Sequence, residues 1–285
     1  MLRHKTPQSP PIKNPTAILF GGTGFIGQHT AKLLTQNGWH VILAARTQPA
    51  NLPPKTTFLP CNAIQSIPPL PPGCAVVNLI GILTESPAAT FPQAHVQVAQ
   101  NIAQAAAQAK ASAMVQVSAL GASLHSPSRY AQTKAQGEHA VHQAYPQATI
   151  LRPSLVLGEG NDFARRMLTM AKFSPILPLP GMGRTLFQPI NVTAVAHAIA
   201  HALENPQPNA PQILVGPQVL SFRQLLQQTL QQANKTRLLL PLPFWASTLI
   251  AHMLTTLNTL SGHRLPTWLL LTPDQVTLLK TNNIA

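Results

Sequence analysis

The chain has 285 residues, 45% of them hydrophobic and only 9% charged, with 29 prolines; this length and apolar content suit one large α/β domain with a smaller appended lobe. Nineteen basic residues against six acidic ones give a formal charge of +13, which favours anionic partners such as a phosphorylated cofactor, anionic lipid or an acidic protein. The basic residues are scattered and aromatics make up 5%, so no nucleic-acid platform is expected.

Residues 1–15, with Arg3, His4, Lys5, Lys13 and several prolines, read as a disordered basic tail with no cleavable leader. The first element follows at once. Ala17-Ile18-Leu19-Phe20 is a short apolar strand, and Gly21, Gly24 and Gly27 are spaced G-x-x-G-x-x-G ahead of a helical segment closing at Gly38. Strand, glycine turn and helix in this order form a dinucleotide cradle. Gly21 permits the tight turn, Gly24 lets backbone N–H groups approach a pyrophosphate, and Gly27 lets the helix pack close to the sheet. The phosphates sit at the positive end of the helix.

The second apolar run, Val41 to Ala45, ends in Arg46, and no acidic residue appears before Glu85. A carboxylate there would bond ribose hydroxyls; a guanidinium suits a 2′-phosphate instead. The expected cofactor is therefore NADP(H) rather than NAD(H). A short strand near 57–59, a strand over 75–80, a helix over 96–111, a strand over 113–117, a helix over 126–144 and a strand over 148–151 continue the alternation. This pattern predicts a doubly wound parallel (Rossmann) sheet over 16–157. Beyond 158 the segments shorten into a mostly helical lobe to 285. They include one isolated strand near 212–215 and a helix starting at Ser221.

Cys61 and Cys74 flank a proline-rich loop and suggest a reduced, cytoplasmic setting rather than secretion. The eleven histidines show no ligand spacing, so no metal is expected. Ser118 ends a strand, and Tyr130 and Lys134 lie four apart on the next helix, hence on one face. In this reading the ammonium lowers the phenol's pKa, so that Tyr130 exchanges a proton while Ser118 orients a carbonyl or hydroxyl. The other reading has Tyr130 packed and Lys134 solvated.

Phe244 to Leu260 carries apolar residues at helical spacing, opposite a polar, uncharged face. The run is too short and hydroxyl-rich for a membrane span. It either packs its stripe on the main domain or lies against a membrane or large hydrophobic partner.

Together, Gly21–Gly27, Tyr130/Lys134 and Leu151-Arg152-Pro153-Ser154 resemble the extended and atypical short-chain dehydrogenases/reductases. The runs 77–81, 117–122, 187–190, 241–245 and 271–276 are similar, more narrowly, to the NADPH-binding accessory subunit of respiratory complex I and its bacterial relatives. The resemblance implies that Gly21, Thr23, Gly24, Phe25 and Ile26 line the pyrophosphate and Arg46 the 2′-phosphate. It places Asn62 and Ala63 near adenine, and Leu79, Ile80 and Gly81 under the ribose. Tyr130, Lys134, Pro153 and Ser154 would surround the nicotinamide ribose. It also implies a partner, complex I, and a peripheral place on the inner respiratory membrane. The chain departs from its relatives at Asn62 and Ala194, where they carry Asp, and in the short gap from Ser118 to Tyr130. Three functions follow: a nucleotide-holding accessory or assembly protein, an oxidoreductase or epimerase of a sugar nucleotide or small carbonyl compound, or an NADP(H)-sensing regulator without chemistry.

Overall fold

The computed structural model describes residues 15–49, 52–266 and 268–285; the basic tail of residues 1–14 lies outside them. Seven parallel strands form the central sheet: β1 (Thr16–Phe20), β2 (His40–Ala45), β3 (Thr56–Pro60), β4 (Ala75–Asn78), β5 (Ala113–Val117), β6 (Thr149–Pro153) and a late strand, Gln212–Leu214. Their spatial order is β3-β2-β1-β4-β5-β6 followed by the late strand, so the chain winds outward twice from β1. Between β1 and β4 the winding reverses, and the carboxyl ends of the strands leave a crevice there. The strand expected to be isolated near 212–215 instead pairs with β6, Gln212 opposite Leu151.

The sheet is buried on both faces because β1 alternates. Leu19 joins one apolar layer with Leu34, Val41, Val77, Val115 and Ile199. Ile18 and Phe20 join the other with Val76, Ile102, Met114, Val141 and Ile150. Helix α1 (Phe25–Gln36) covers the first layer, and α2 (Val98–Gln108) and α3 (Arg129–Ala144) the second. A π-helical turn, Pro92–Gln97, leads into α2. Alanines at 99, 103 and 106 are fully buried on α2, so α3 can come close. A Cβ on Gly137 would lie 2.0 Å from the His95 carbonyl oxygen, which explains glycine there. The sequence placed the start of α3 at Ser126. It begins at Arg129, because the Ser128 hydroxyl accepts from Ala131 N–H and caps it.

After β6 the chain forms β7 (Val156–Leu157), α4 (Asp162–Phe173), β8 (Ile176–Pro180), β9 (Leu186–Phe187), β10 (Ile190–Asn191) and α5 (Val192–Glu204). Helix α5 returns to the sheet, where Val195, Ile199 and Leu203 join the first apolar layer. The late strand, β11, is followed by β12 (Leu220–Ser221), α6 (Phe222–Gln232), β13 (Leu238–Leu242), α7 (Phe244–Leu260) and α8 (Pro273–Leu278). Ser221 and Gln224 form a reciprocal capping box at the start of α6. Strands β8 and β13 pair in parallel. A third apolar cluster, including Leu177, Leu179, Phe222, Leu226 and Leu230, lies beneath them.

Helix α7 spans the expected residues with its apolar stripe turned outward, and His252, Thr256 and Thr259 of the polar face are exposed as well. Ser247, Ala251 and Asn258 are buried, while Trp245 (74% exposed), Met253 (57%) and Leu260 (80%) face outward with Leu249 and Leu257. The option that the stripe packs on the main domain is therefore corrected. Phe244 anchors the start of the helix against Gly181, where a Cβ would come within 2.2 Å of its ring. The Thr255 hydroxyl is turned inward with no partner among the described residues. None of the described helices is long and apolar enough to cross a membrane.

Candidate functional site

The crevice at the carboxyl ends of β1 and β4 holds a cleft of about 290 Å³. Gly21, Thr23, Arg46, Asn62, Ala63 and Ile80 line it. These residues, separated by up to 59 positions, come from the ends of four neighbouring strands. Gly21 turns at φ +77°, a conformation open to glycine. A Cβ at Gly27 would lie 2.5 Å from the Gly21 oxygen and the Gly22 Cα, and one at Gly22 would lie 2.7 Å from Leu43 Cδ2. The missing side chains let α1 begin directly against the turn. Gly24 is the N-cap of α1 and supplies no capping side chain, so the first-turn N–H groups, including those of Phe25 and Ile26, lack a side-chain acceptor. Helix N-termini of this kind accept phosphate, and the cradle fits a pyrophosphate on its own geometry.

Arg46 is exposed at the end of β2 and makes no ion pair with any described residue. Asn62 folds its own loop: its side-chain oxygen accepts from Ile64 N–H at 3.3 Å and its carbonyl from Gln65 N–H at 2.9 Å. Asn101 and Gln97 of the helix on that face donate to the Ala63 and Ile64 carbonyls. Asn78 does similar work at the end of β4. It is fully buried, donates to Gln116 at 2.8 Å and accepts from Ile80 N–H at 3.0 Å. Leu79, Ile80 and Gly81 thereby leave the sheet along a fixed path beside the cleft.

The other end of the crevice is organised by α3. Lys134 is buried, donates to the Val117 carbonyl at 3.3 Å, and lies 3.1 Å from where a Gly81 Cβ would stand. The option of a solvated lysine is corrected: burial lowers its pKa to about 8, against the opposing pull of Glu138. Glu138 is itself held by Arg152 of β6 through bonds of 2.9 and 2.6 Å. Tyr130 is partly buried and packs edge-on to Phe91 and His95, at 6.0 and 5.3 Å between ring centres. The expected lowering of its pKa by the neighbouring ammonium is not what the site produces. Burial raises it to about 12. Ser118 is buried, and its hydroxyl has no partner among the described residues, although its N–H donates to Leu151 at 2.7 Å. An unsatisfied hydroxyl of this kind is unusual inside a fold and leaves one donor-acceptor for a ligand.

The sequence reading missed His95. Its ring is buried in the π-helical turn, where Nε2 accepts from Ile82 N–H at 3.2 Å and Nδ1 lies 2.9 Å from the Thr133 hydroxyl. Nε2 must be unprotonated to accept, so Nδ1 carries the proton and donates to Thr133. Thr133 in turn donates to the Arg129 carbonyl. Burial, then the Lys134 charge, lower the His95 pKa to about 3 despite the Ile82 bond. The neutral ring thus ties the Gly81–Ile82 loop to α3.

Pro153 and Ser154 end β6 beside this region. Ser154 is bonded within the chain. Its N–H donates to Leu214 of β11, and its hydroxyl donates to the Asn283 side-chain oxygen at 2.5 Å.

Residues 17–216 match the pattern of the NAD dependent epimerase/dehydratase family. The chain belongs to that family. Within it, the chain is similar to the mitochondrial NADH dehydrogenase (ubiquinone) 1 alpha subcomplex subunit 9 of Arabidopsis thaliana, 30% identical over 249 residues, or 82% of this chain and 61% of the relative. The Mus musculus protein of the same name is 28% identical over 82% of this chain and 65% of its own length. A ceramide reductase of Caulobacter vibrioides is 30% identical over 56% of this chain and 52% of its own. The chain thus spans less than two thirds of the length of these relatives. The family's fold is shared with the UDP-glucose 4-epimerase of Thermus thermophilus, at a TM-score of 0.66 and 20% identity over 80% of this chain and 86% of that one.

Proposed function

We propose that the protein holds NADP(H) as a structural ligand and serves as an accessory component of a membrane-attached respiratory assembly, complex I being the partner its similar relatives name. The observation that carries this reading is the outward apolar stripe of helix α7. A monomer gains nothing by exposing Trp245, Leu249, Met253, Leu257 and Leu260 on one face, and contiguous apolar surface of that kind marks a docking site. From 205 to 273 the chain carries four Lys/Arg and no Asp or Glu, so the lobe around α7 suits the anionic surface of the inner respiratory membrane.

For the nucleotide, Arg46 supports NADP(H) over NAD(H), because a guanidinium can bond the 2′-phosphate with two parallel charged contacts. Mass spectrometry of nucleotide released from the purified chain identifies it. Arg46→Ala is expected to weaken NADPH about tenfold or more, as loss of a charge-assisted bond does, and to leave NADH unchanged. Tighter binding of NADH than NADPH by the unaltered chain overturns this assignment.

The catalytic reading rests on a different observation, the unpartnered Ser118 hydroxyl at the end of the crevice where Tyr130 and Lys134 lie. In that reading the chain acts as an oxidoreductase or epimerase of a sugar nucleotide or small carbonyl compound. Loss of a measured turnover in Tyr130→Phe, with nucleotide still bound, favours it over the accessory role.

A further inference from the structure

The last fourteen residues make contacts that nothing in the nucleotide cradle requires. Thr272 and Gln275 form a capping box at the start of α8. Asp274, in its first turn, reaches the N-terminus of α3, accepting from Arg129 N–H at 2.7 Å, Tyr130 N–H at 3.2 Å and the Ser128 hydroxyl at 2.9 Å. Gln275 donates to the Leu83 carbonyl at 3.1 Å and the Thr84 hydroxyl at 3.0 Å. Beyond α8 the chain runs beside β9, where Asn283 N–H donates to Leu186 at 2.7 Å and Gln188 N–H donates to the Asn283 carbonyl at 2.9 Å. The Asn283 side chain then turns inward. Its oxygen accepts from Ser154, and its nitrogen donates to the Leu120 carbonyl at 3.3 Å.

These attachment points encircle one place. They are the loop after Gly81, the helix end that carries Tyr130, the chain two residues past Ser118, and the end of β6. The geometry points to a built-in strap: residues 272–285 close the nicotinamide and substrate side of the crevice, with the Asn283 carboxamide occupying polar groups that a substrate would otherwise use. This rests on the nucleotide reading and deepens it. A carboxamide suits the task because it both donates and accepts. With it in place, the hydroxyl of Ser154 and the carbonyl of Leu120 are satisfied from within the chain. The strap therefore hinders escape of the nucleotide and entry of a substrate together.

The test uses the full chain and two variants that remove the same bond from opposite sides, Asn283→Ala and Ser154→Ala. Amide hydrogen exchange is read at Gln188 and Asn283, with amides of β1 and β4 as the control that the sheet is intact. NADPH dissociation is read by displacement with excess NADP⁺. The expected result is protected strap amides in the unaltered chain, and at least tenfold faster exchange there in Asn283→Ala. NADPH dissociation should be about three- to tenfold faster in both variants. Unprotected strap amides in the unaltered chain overturn the closure, and so do unchanged dissociation rates in variants whose strap amides have been released. Failure of the unaltered chain to bind NADPH overturns the nucleotide reading alone. The exchange data then still decide whether the strap is closed.

Discussion

Helices α2 and α7 both carry a long apolar stripe, and the fold treats the two in opposite ways. On α2, Val98, Ala99, Ile102, Ala103 and Ala106 are buried against the sheet. The short side chains among them let a neighbouring helix approach. On α7 the large side chains point outward, and a serine, an alanine and an asparagine point inward. A stripe made mostly of alanine is shaped for a partner at close range within the same chain. A stripe of Trp, Leu and Met gains most from a broad apolar surface, and the described residues supply none to that face. The comparison separates what the chain completes alone from what it offers outward.

The self-sufficient half is the easier to break. Gly27→Val is expected to be the most damaging substitution, because its new Cβ would lie 2.5 Å from backbone atoms that cannot step aside. Overpacking against rigid backbone costs about 3 kcal/mol or more, so the thermal midpoint should fall by about 6 °C or more. Calorimetry checks this, and a midpoint within about 2 °C of the unaltered chain would show that α1 does not depend on the close approach. The same cost should appear without nucleotide, since the clash is within the protein.

A second, smaller effect tests the polar interior on the α2 side. The His95 pKa stands at about 3 in the folded chain, against an ordinary value of 6.5. Between those values the unfolded chain binds a proton that the folded chain refuses, so stability falls as the pH drops through this window. At pH 5 the effect amounts to about 2 kcal/mol relative to pH 7. His95→Gln removes the titrating group, so its stability should decline less between pH 7 and pH 5, whatever its stability at pH 7. Parallel denaturant curves for the two proteins across that range would show that the ring is not held neutral.

The same contrast explains how much was legible in the sequence. The β1 turn could be read because Gly21 is favoured by its own positive φ and Gly27 by backbone atoms only five and six residues away. The sheet strands could be read because each is a short apolar run between breakers. His95 could not, because only the π-helical turn sets it against Thr133, 38 residues away. The side chains of Asp274 and Asn283 act on groups 129 to 163 positions away, with no periodicity to announce them. Strands β8 and β13 were hidden because both are interrupted by proline, yet they pair in parallel through more than 50 intervening residues. The outward placement of the α7 stripe was hidden for a chemical reason. Its two faces differ only as Leu, Met and Trp differ from Ser, Thr and Asn, and no charged residue marks the solvent side.

The outward face of α7 carries the smallest expected effect on stability. If it makes no contact within the chain, Trp245→Ser and Met253→Ser together should change unfolding free energy by no more than about 0.5 kcal/mol, as exposed substitutions do. Binding to vesicles containing anionic lipid should nevertheless fall steeply. Removing two large side chains from an apolar face withdraws several kcal/mol of transferable area, and co-sedimentation reads this directly. Ser247→Leu on the inward face should do the reverse, destabilising the lobe through overpacking while leaving vesicle binding in the folded fraction intact. A large loss of stability in the outward pair would mean that the stripe is core after all. Equal vesicle binding by the outward pair and the unaltered chain would mean that the face serves a protein rather than a lipid. Either result would redraw the line between what this chain completes by itself and what it leaves for a partner.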